Sequence, residues 1–257
     1  MKKKLSIVIP SYKSSEKILG HLKNFKKDLQ VIIIENSYDE NLKQIIENKY
    51  KNTKVVLQKN VGYGNAINLG SKFVKTKYFF TMNPDTVIFK DTLILLLRGC
   101  KNIKKFGAIS PNYKENKNKK YDSIIEEKKT LTGGAMLFQT SVFKKIGGFD
   151  KNIFLYYEDN DYFTKCRKMG LRLYQINNSY HFHEKKSSGS ASFKTNKENK
   201  NFAGHSLRAG FATVAAESGA DERSIMAMTG HKTTQMVRRY IREANIFKNN
   251  ALNKIKI

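Results

Sequence analysis

Short β-branched runs alternate with helical patterns over the first two-thirds of the chain. Leu5–Pro10 is wholly apolar apart from Ser6 and predicts a buried strand. Ile18, Leu22 and Phe25 follow at helical spacing. Val31–Ile34 predicts a second strand, and Leu42, Ile45 and Ile46 the apolar face of a second helix. Val55–Leu57 predicts a third strand, with a helix from about Gly64 to Val74, and Tyr78–Met82 a fourth. Strands alternating with helices imply right-handed crossovers and a mostly parallel sheet. In such sheets ligands bind beyond the carboxyl ends of the strands, so the chemistry is expected there.

Two stretches break the rhythm. Asn112 to Lys129, rich in Lys and Asn, predicts a mobile loop before regular structure resumes at Thr130–Phe138. Glu184 to Asn201 is rich in Ser, Lys and Asn, and beyond it Ala, Met and Arg rise. That shift near residue 200 marks the domain boundary: 1–190 as one domain, 191–201 as a linker and 202–257 as a helical tail.

Composition narrows the class without choosing a partner. The 257 residues are 40% hydrophobic and 27% charged, which supports a packed core and excludes wholesale disorder. A formal net charge of +26 suits an anionic partner, whether nucleic acid, an acidic membrane face or a nucleotide. Cys100 and Cys166 have no metal-ligand spacing and frame no disulfide network, pointing to a reduced, cytoplasmic protein. The N-terminal apolar run is too short for a signal core, and Leu93–Leu97 is far short of a membrane span.

The candidate chemistry lies at the predicted strand ends. The first strand runs into the turn Pro10-Ser11-Tyr12. The second ends in Glu35-Asn36-Ser37, where a carboxylate can accept hydrogen bonds from a ribose or a base. The fourth ends in Asn83-Pro84-Asp85, an acid on a proline turn that suits a hard divalent cation holding a diphosphate. After the third strand, the turn containing Gly62, Gly64 and Asn65 opens a helix whose backbone can approach a ligand closely. Gly133-Gly134 sits in an apolar run. Further on, Glu158, Asp159 and Asp161 follow a double-glycine turn and an aromatic cluster. The helix dipole accounts for one or two of these acids. One of them could serve as general base toward a hydroxyl. His181 and His183 are read as rivals, strand alternation letting only one face the site.

Taken in order, SIVIPSY, IIIENS, NVGYGNAINLG, FFTMNPD, TGGAMLF and IGGFDKNIFLYYEDND resemble the family-2 glycosyltransferases over residues 5 to about 190. The likeness is greatest to the rhamnosyltransferase-like branch that extends bacterial surface polysaccharides. The resemblance implies an α/β GT-A fold, a nucleotide-sugar donor, Mg2+ or Mn2+, and inversion at the anomeric carbon. It also implies a glycan or lipid-linked acceptor, with rhamnose as the family-level sugar, and contact with the inner face of the membrane. By the same resemblance Pro10, Tyr12, Glu35, Asn36, Gly62, Gly64, Asn65, Asn83 and Asp85 bind the donor, Asn83 standing where the first acid of a D-x-D element would be. Asp159 resembles the catalytic base, with Glu158 beside it. Gly133, Gly134 and Asp161 lie on the acceptor side, and His183 joins Asp85 at the metal.

The tail reads differently. HSLRAGFAT, a Gly-His pair 23 residues after Arg208, and Tyr240 nine after His231 resemble the C-terminal part of the tyrosine recombinases, the phage-type integrases. The resemblance implies that His205, Arg208 and His231 would surround a scissile phosphate and Tyr240 would attack it. That family also needs an earlier arginine, a hairpin lysine and a DNA-clamping domain, whose place the transferase occupies. A gene fusion without recombinase activity is therefore expected, with at most weak, non-specific DNA binding through lysines.

Overall fold

A computed structural model describes residues 4–155, 157–183, 221–229 and 238. The chain divides into two units, residues 1–189 and 190–257. The first unit opens with strands β1 (Leu5–Ser11), β2 (Gln30–Glu35), β3 (Thr53–Leu57) and β4 (Tyr78–Met82), separated by helices α1 (Ser15–Asn24), α2 (Glu40–Lys49) and α3 (Tyr63–Lys72). It continues through β5 (Thr86–Ile88), α4 (Thr92–Gly99), β6 (Ala108–Tyr113), β7 (Ile125–Lys128), β8 (Ala135–Gln139), α5 (Thr140–Ile146), α6 (Glu158–Lys168) and β9 (Leu173–His183).

The sheet order is β3-β2-β1-β4-β8-β6-β9-β5, with β7 paired to β9. From β3 to β4 all neighbours are parallel. Beyond β4 the pairs are antiparallel except β6 with β9. The chain steps outward from β1 to β3 and then returns to the other side of β1 at β4. That reversal is a topological switch point, and it opens a crevice at the carboxyl ends of β1 and β4.

Every residue of β1, β4 and β8 is buried, as expected of strands covered on both faces. Period-two alternation divides their side chains between two apolar layers. Leu5, Ile7, Ile9 and Phe80 pack with Ile18, Leu22, Leu42, Ile46 and Leu96 from α1, α2 and α4. Val8, Ile32 and Phe79 pack with Ala66, Ile67, Phe143, Tyr162 and Phe163 from α3, α5 and α6. In the second layer the Tyr162 ring lies 5.4 Å from Phe138 and 5.3 Å from Phe149, and its hydroxyl donates to Gly107 O at 3.0 Å. The start of α6 is thereby fixed against the sheet.

Two sequence expectations need correction. The polar stretch 112–129 is not simply a loop, since it ends in β7, an edge strand antiparallel to β9. Its polar groups are satisfied within it and by β9: Asn112 Nδ2 donates to the Tyr121 hydroxyl at 2.8 Å, and Asn177 Nδ2 of β9 donates to Ser123 O at 3.0 Å. A segment satisfied by polar contacts carries little apolar periodicity. Ile45 was placed on the buried face of α2, yet only Leu42 and Ile46 are buried there and Ile45 is exposed.

Among the described residues no helix is long and apolar enough to cross a membrane. Cys100 and Cys166 are buried and free. In the second unit, α7 (Glu222–Thr229) is preceded by Asp221, whose carboxylate accepts from Arg223 N and Ser224 N at 3.0 Å each, an N-terminal cap. His205, Arg208, His231 and Tyr240 lie outside the described residues.

Candidate active site

Three strand ends meet the crevice. At the end of β2, Glu35 is buried; its Oε1 accepts from Ser37 N at 2.8 Å and from Ser37 Oγ. Its Oε2 has no hydrogen-bond partner among the described residues, and neither does the buried Ser11 Oγ, its register neighbour on β1. Buried polar atoms are rarely left so, and such an exception asks for a missing ligand or water. Lys13 N donates to Ser37 Oγ at 3.2 Å. Lys13 and Tyr38, in the loops after β1 and β2, both hold left-handed backbones, at φ 49 and 60. Strain of that kind concentrates at functional sites. Pro10 is buried in β1, while Tyr12 beyond it is exposed. Asn36 Oδ1 accepts from Gln58 Nε2 at 2.6 Å.

The third strand end is the turn after β4. Thr86 N donates to Asn83 O at 3.0 Å, and the His21 ring reaches Pro84 O at 2.7 Å. Asp85 inside this turn is buried. Asn83 N and Thr86 Oγ1 both donate to Gly134 O, each at 3.0 Å. The turn is thus tied to the glycine pair that precedes β8.

The opposite wall is made by the loop from Gly147 to Tyr157 and by the start of α6. Gly147 and Gly148 turn the chain at φ 88 and 72. Asn68 of α3 holds the loop at both polarities: Phe149 N donates to its Oδ1 at 2.9 Å, and its Nδ2 donates to Phe149 O at 2.9 Å. Asn65 Nδ2 donates to Lys151 O at 2.8 Å, and Tyr63 N to Phe154 O at 3.0 Å. Gly62 stands at φ 88, and a Cβ there would lie 1.9 Å from Phe154 O. A Cβ at Gly64 would meet Phe149 and Glu158 Cβ at 2.9 and 3.3 Å. Gly62, Gly64 and Asn65, expected beside the donor, thus also pack against this loop and α6, while Gly62 N and Asn65 Nδ2 bond Asn60 and Val61 within their own turn.

Tyr157, left-handed at φ 68, delivers the chain into α6. Glu158 is then buried and Asp159 half-buried. Burial raises both carboxyls above their ordinary range, and the Asp159 charge adds to the effect on Glu158. Asp159 Oδ1 accepts from Asn160 N at 2.8 Å. Its Oδ2 faces Gly133, where a Cβ would lie 3.0 Å away. Asp161 is instead engaged along its own helix, with Lys165 at 2.7 Å.

Tyr63 closes the seam between the two walls. Its hydroxyl donates to Gly133 O at 2.9 Å. Burial first, then the charges of Glu158, Asp159 and, more weakly, Asp85, push this phenol far above the ordinary range, against a Thr81 contact that lowers it. Gly133 thus stands beside Asp159, and the next carbonyl, Gly134 O, is held by the turn that contains Asp85, so the two acids flank one glycine pair. In the sequence Ser11 and Ser37 stand only as members of the strand-end turns and Tyr63 and Asn68 carry no role; the aromatic between two glycines in Gly62-Tyr63-Gly64 is the visible signal for Tyr63.

The two histidines are not separated by alternation, because residues two apart on a strand share a face. Their neighbours differ instead. His181 is buried, with Nδ1 3.0 Å from Asn112 O and its ring 4.6 Å from that of Tyr113. β9 sets His183 opposite Thr86; its side chain lies outside the described residues.

Among the described residues no group of three or more His, Cys, Asp and Glu side chains could hold a metal. Asp85 supplies one buried carboxylate, and Asn83 is neutral. Such a set fits a hard cation that takes most of its oxygens from a diphosphate, as Mg2+ does, and does not fit a cage built by protein alone.

Comparison with known proteins agrees with both halves of the sequence reading. The model of Glycosyl transferase family 2 matches residues 6–169, and that of the Phage integrase family residues 163–245. The two ranges overlap inside α6, whose Phe163 and Cys166 are buried in the first unit. An integrase/recombinase xerD homolog of Selenomonas ruminantium is 59% identical over 54 residues, 21% of this chain and 16% of that protein. A poly-beta-1,6-N-acetyl-D-glucosamine synthase of Staphylococcus epidermidis is 26% identical over 175 residues, 58% of this chain and 42% of that protein. The chain thus spans less than half the length of either relative. A mannosyltransferase from Pyrobaculum calidifontis, solved with GDP-Man and Mn2+, superposes with a TM-score of 0.60 at 14% identity, covering 97% of this chain and 76% of its own. At that identity the likeness concerns the GT-A fold. By the family match over well over half its length, the chain belongs to glycosyl transferase family 2, and it carries a phage integrase segment fused behind that domain.

Proposed function

We propose that this chain moves a sugar from a nucleoside diphosphate donor to an acceptor hydroxyl, inverting the anomeric carbon, with Asp159 as general base. The observation that carries this reading is the glycine pair 133–134, which has Asp159 Oδ2 beside Gly133 and the Asn83–Thr86 turn holding Asp85 bonded to Gly134 O. Asp159 takes the hydroxyl proton as the acceptor oxygen bonds to the anomeric carbon. The bond from that carbon to the diphosphate breaks, and its electron pair leaves with the diphosphate. A carboxyl raised by burial is a stronger base than an exposed one, which favours this transfer near neutral pH.

On the donor side, Ser11 Oγ and Glu35 Oε2 are offered as the groups that meet the nucleoside, with Pro10, Tyr12 and Asn36 around them. Asn83 and Asp85 face the diphosphate. A divalent ion, Mg2+ or Mn2+, screens the leaving diphosphate when bound; Asp85 and, by the family resemblance, His183 would hold it. Gly133 and Gly134 border the acceptor, and Gly62, Gly64 and Asn65 support its loop. A surface-glycan or lipid-linked saccharide is the acceptor class we infer. The relatives' names carry N-acetyl-glucosamine and mannose rather than rhamnose, so the donor sugar is a matter for assay. Residues 1–190 would form the transferase and 202–257 a passenger integrase fragment.

The test is a thermal-shift panel of UDP, dTDP, GDP and ADP with and without Mg2+ or Mn2+, followed by transfer assays with the matching sugars. Expected is metal-assisted stabilisation by one class of nucleotide, with turnover that Asp159→Asn removes while nucleotide still binds. Binding by none, or equal turnover in Asp159→Asn, overturns the assignment. For the tail, a covalent Tyr240–DNA adduct on a nicked suicide substrate would overturn the passenger reading.

A further inference from the structure

We infer that the Tyr63 hydroxyl is a positioning group: through its hydrogen bond to Gly133 O it holds the 133–134 turn against Asp159 on one side and against the Asn83–Asp85 turn on the other. This rests on the transferase reading above and adds a residue to it. Tyr63 touches neither wall by accident of packing alone. Its main-chain N–H donates to Phe154 O at 3.0 Å, fixing the acceptor-side loop, while its hydroxyl donates to Gly133 O at 2.9 Å. The next carbonyl, Gly134 O, receives Asn83 N and Thr86 Oγ1. Gly133 approaches Asp159 Oδ2 so closely that a methyl group would stand 3.0 Å from it. One side chain therefore sets the separation of the two acidic ends and, by keeping backbone against Asp159, keeps water from that carboxylate.

Among the described residues, the charged groups that bear on this hydroxyl are Glu158 and Asp159 on α6 and Asp85 on the β4–β5 turn, all acidic. Nothing cationic among them would hold Asp159 in place, so position falls to the neutral hydrogen bond. Removal of the hydroxyl leaves the ring to fill its place but frees the Gly133 carbonyl. The turn can then withdraw, Asp159 is better hydrated, and its carboxyl returns toward the ordinary range.

The experiment compares the full chain with Tyr63→Phe and Gly133→Ala. Its readouts are nucleotide affinity, kcat and acceptor KM, melting temperature, and the 13C titration of the Asp159 carboxyl, assigned by its loss in Asp159→Asn. For Tyr63→Phe we expect kcat to fall about 10- to 100-fold, the range for a small misplacement of a reacting group. Nucleotide affinity should stay within about twofold, and the Asp159 titration should move to lower pH. Gly133→Ala fills the gap instead of opening it, and should lower kcat without moving the titration down. An unmoved Asp159 titration in Tyr63→Phe overturns the inference, whether kcat is unchanged or falls together with melting temperature and nucleotide affinity. If the parent transfers no sugar while the titration still moves as expected, the positioning role stands and the transferase reading fails.

Discussion

The two walls of the cleft are built by different means. The wall proposed for the donor consists of strand ends: Ser11, Glu35 and Asp85 are buried because β1, β2 and β4 are central and covered on both faces. The wall proposed for the acceptor is a loop held from behind by one helix, through Tyr63 N, Asn65 and Asn68 of α3. Sheet burial does most of the fixing on the first wall, with Ser37 bonding Glu35 and Gly134 tying down the Asp85 turn, whereas the loop depends on hydrogen bonds from α3, a glycine that lets it approach and the buried Phe149. Mutations on the first wall should therefore alter binding with little effect on geometry. Mutations behind the second should move geometry even where they touch no substrate.

The largest effect is expected at Asp159. Loss of a general base lowers rates about 10²- to 10⁴-fold, so Asp159→Asn should abolish measurable transfer while donor affinity, set by the opposite wall, stays near that of the parent. Equal losses of binding and turnover would erase the contrast between the walls. Next comes Gly62→Ala, far from any reacting atom. A left-handed backbone at a non-glycine residue costs about 1–3 kcal/mol, and the Phe154 carbonyl must also give way. Melting temperature should fall by several degrees, at about 2–4 °C per kcal/mol, and acceptor KM should rise. A variant that melts like the parent would show that the loop does not depend on this approach.

The same contrast decides what could be read from the sequence. The donor wall was legible because strand ends follow from local pattern: Tyr78–Met82 was placed to the residue, and β1 and β2 to within one or two, so Glu35 and Asp85 fell at their tips. The acceptor acids were legible only as a cluster after a double glycine. What fastens them was hidden, because Asn68 meets Phe149 across 81 residues and Tyr63 meets Gly133 across 70. No local period records such pairings. β7 has no apolar signature for a related reason: three of the four residues of Ile125–Lys128 are charged, and the segment becomes a strand by pairing with β9. Gly62 and Gly64 read from the sequence as a turn that lets backbone approach a ligand; that Phe154 lies against one and Phe149 and Glu158 against the other is written in no local pattern.

A smaller effect is expected at Asn68. Asn68→Ala removes both hydrogen bonds to the Phe149 backbone, leaving an N–H and a carbonyl without their partner, at about 1–3 kcal/mol for such a group. Its signature should be a split: acceptor KM rises several-fold while nucleotide binding holds. Asn68→Asp, which can accept from Phe149 N but cannot donate to Phe149 O when ionised, should fall between Ala and the parent. A fall in nucleotide affinity equal to that in acceptor affinity would mean that α3 supports both walls alike.

The subtlest test concerns Glu158, whose carboxyl is raised by burial and by the Asp159 charge. A carboxyl with a higher value in the folded state than the ordinary 4.3 or so of the unfolded chain keeps its proton longer when folded. The native state then binds more protons across the window between those two values. Stability therefore falls as pH rises through that window, and ionised Glu158 is a standing cost above it. Glu158→Gln should flatten this slope and raise the melting temperature at pH 7 by a few degrees, at about 2–4 °C per kcal/mol. Melting curves between pH 4 and 8 for the parent and Glu158→Gln would show the difference. If Glu158→Gln destabilises the fold at neutral pH, the buried acid is serving a partner rather than enduring its burial, and the acceptor wall is held by more than the hydrogen bonds of α3.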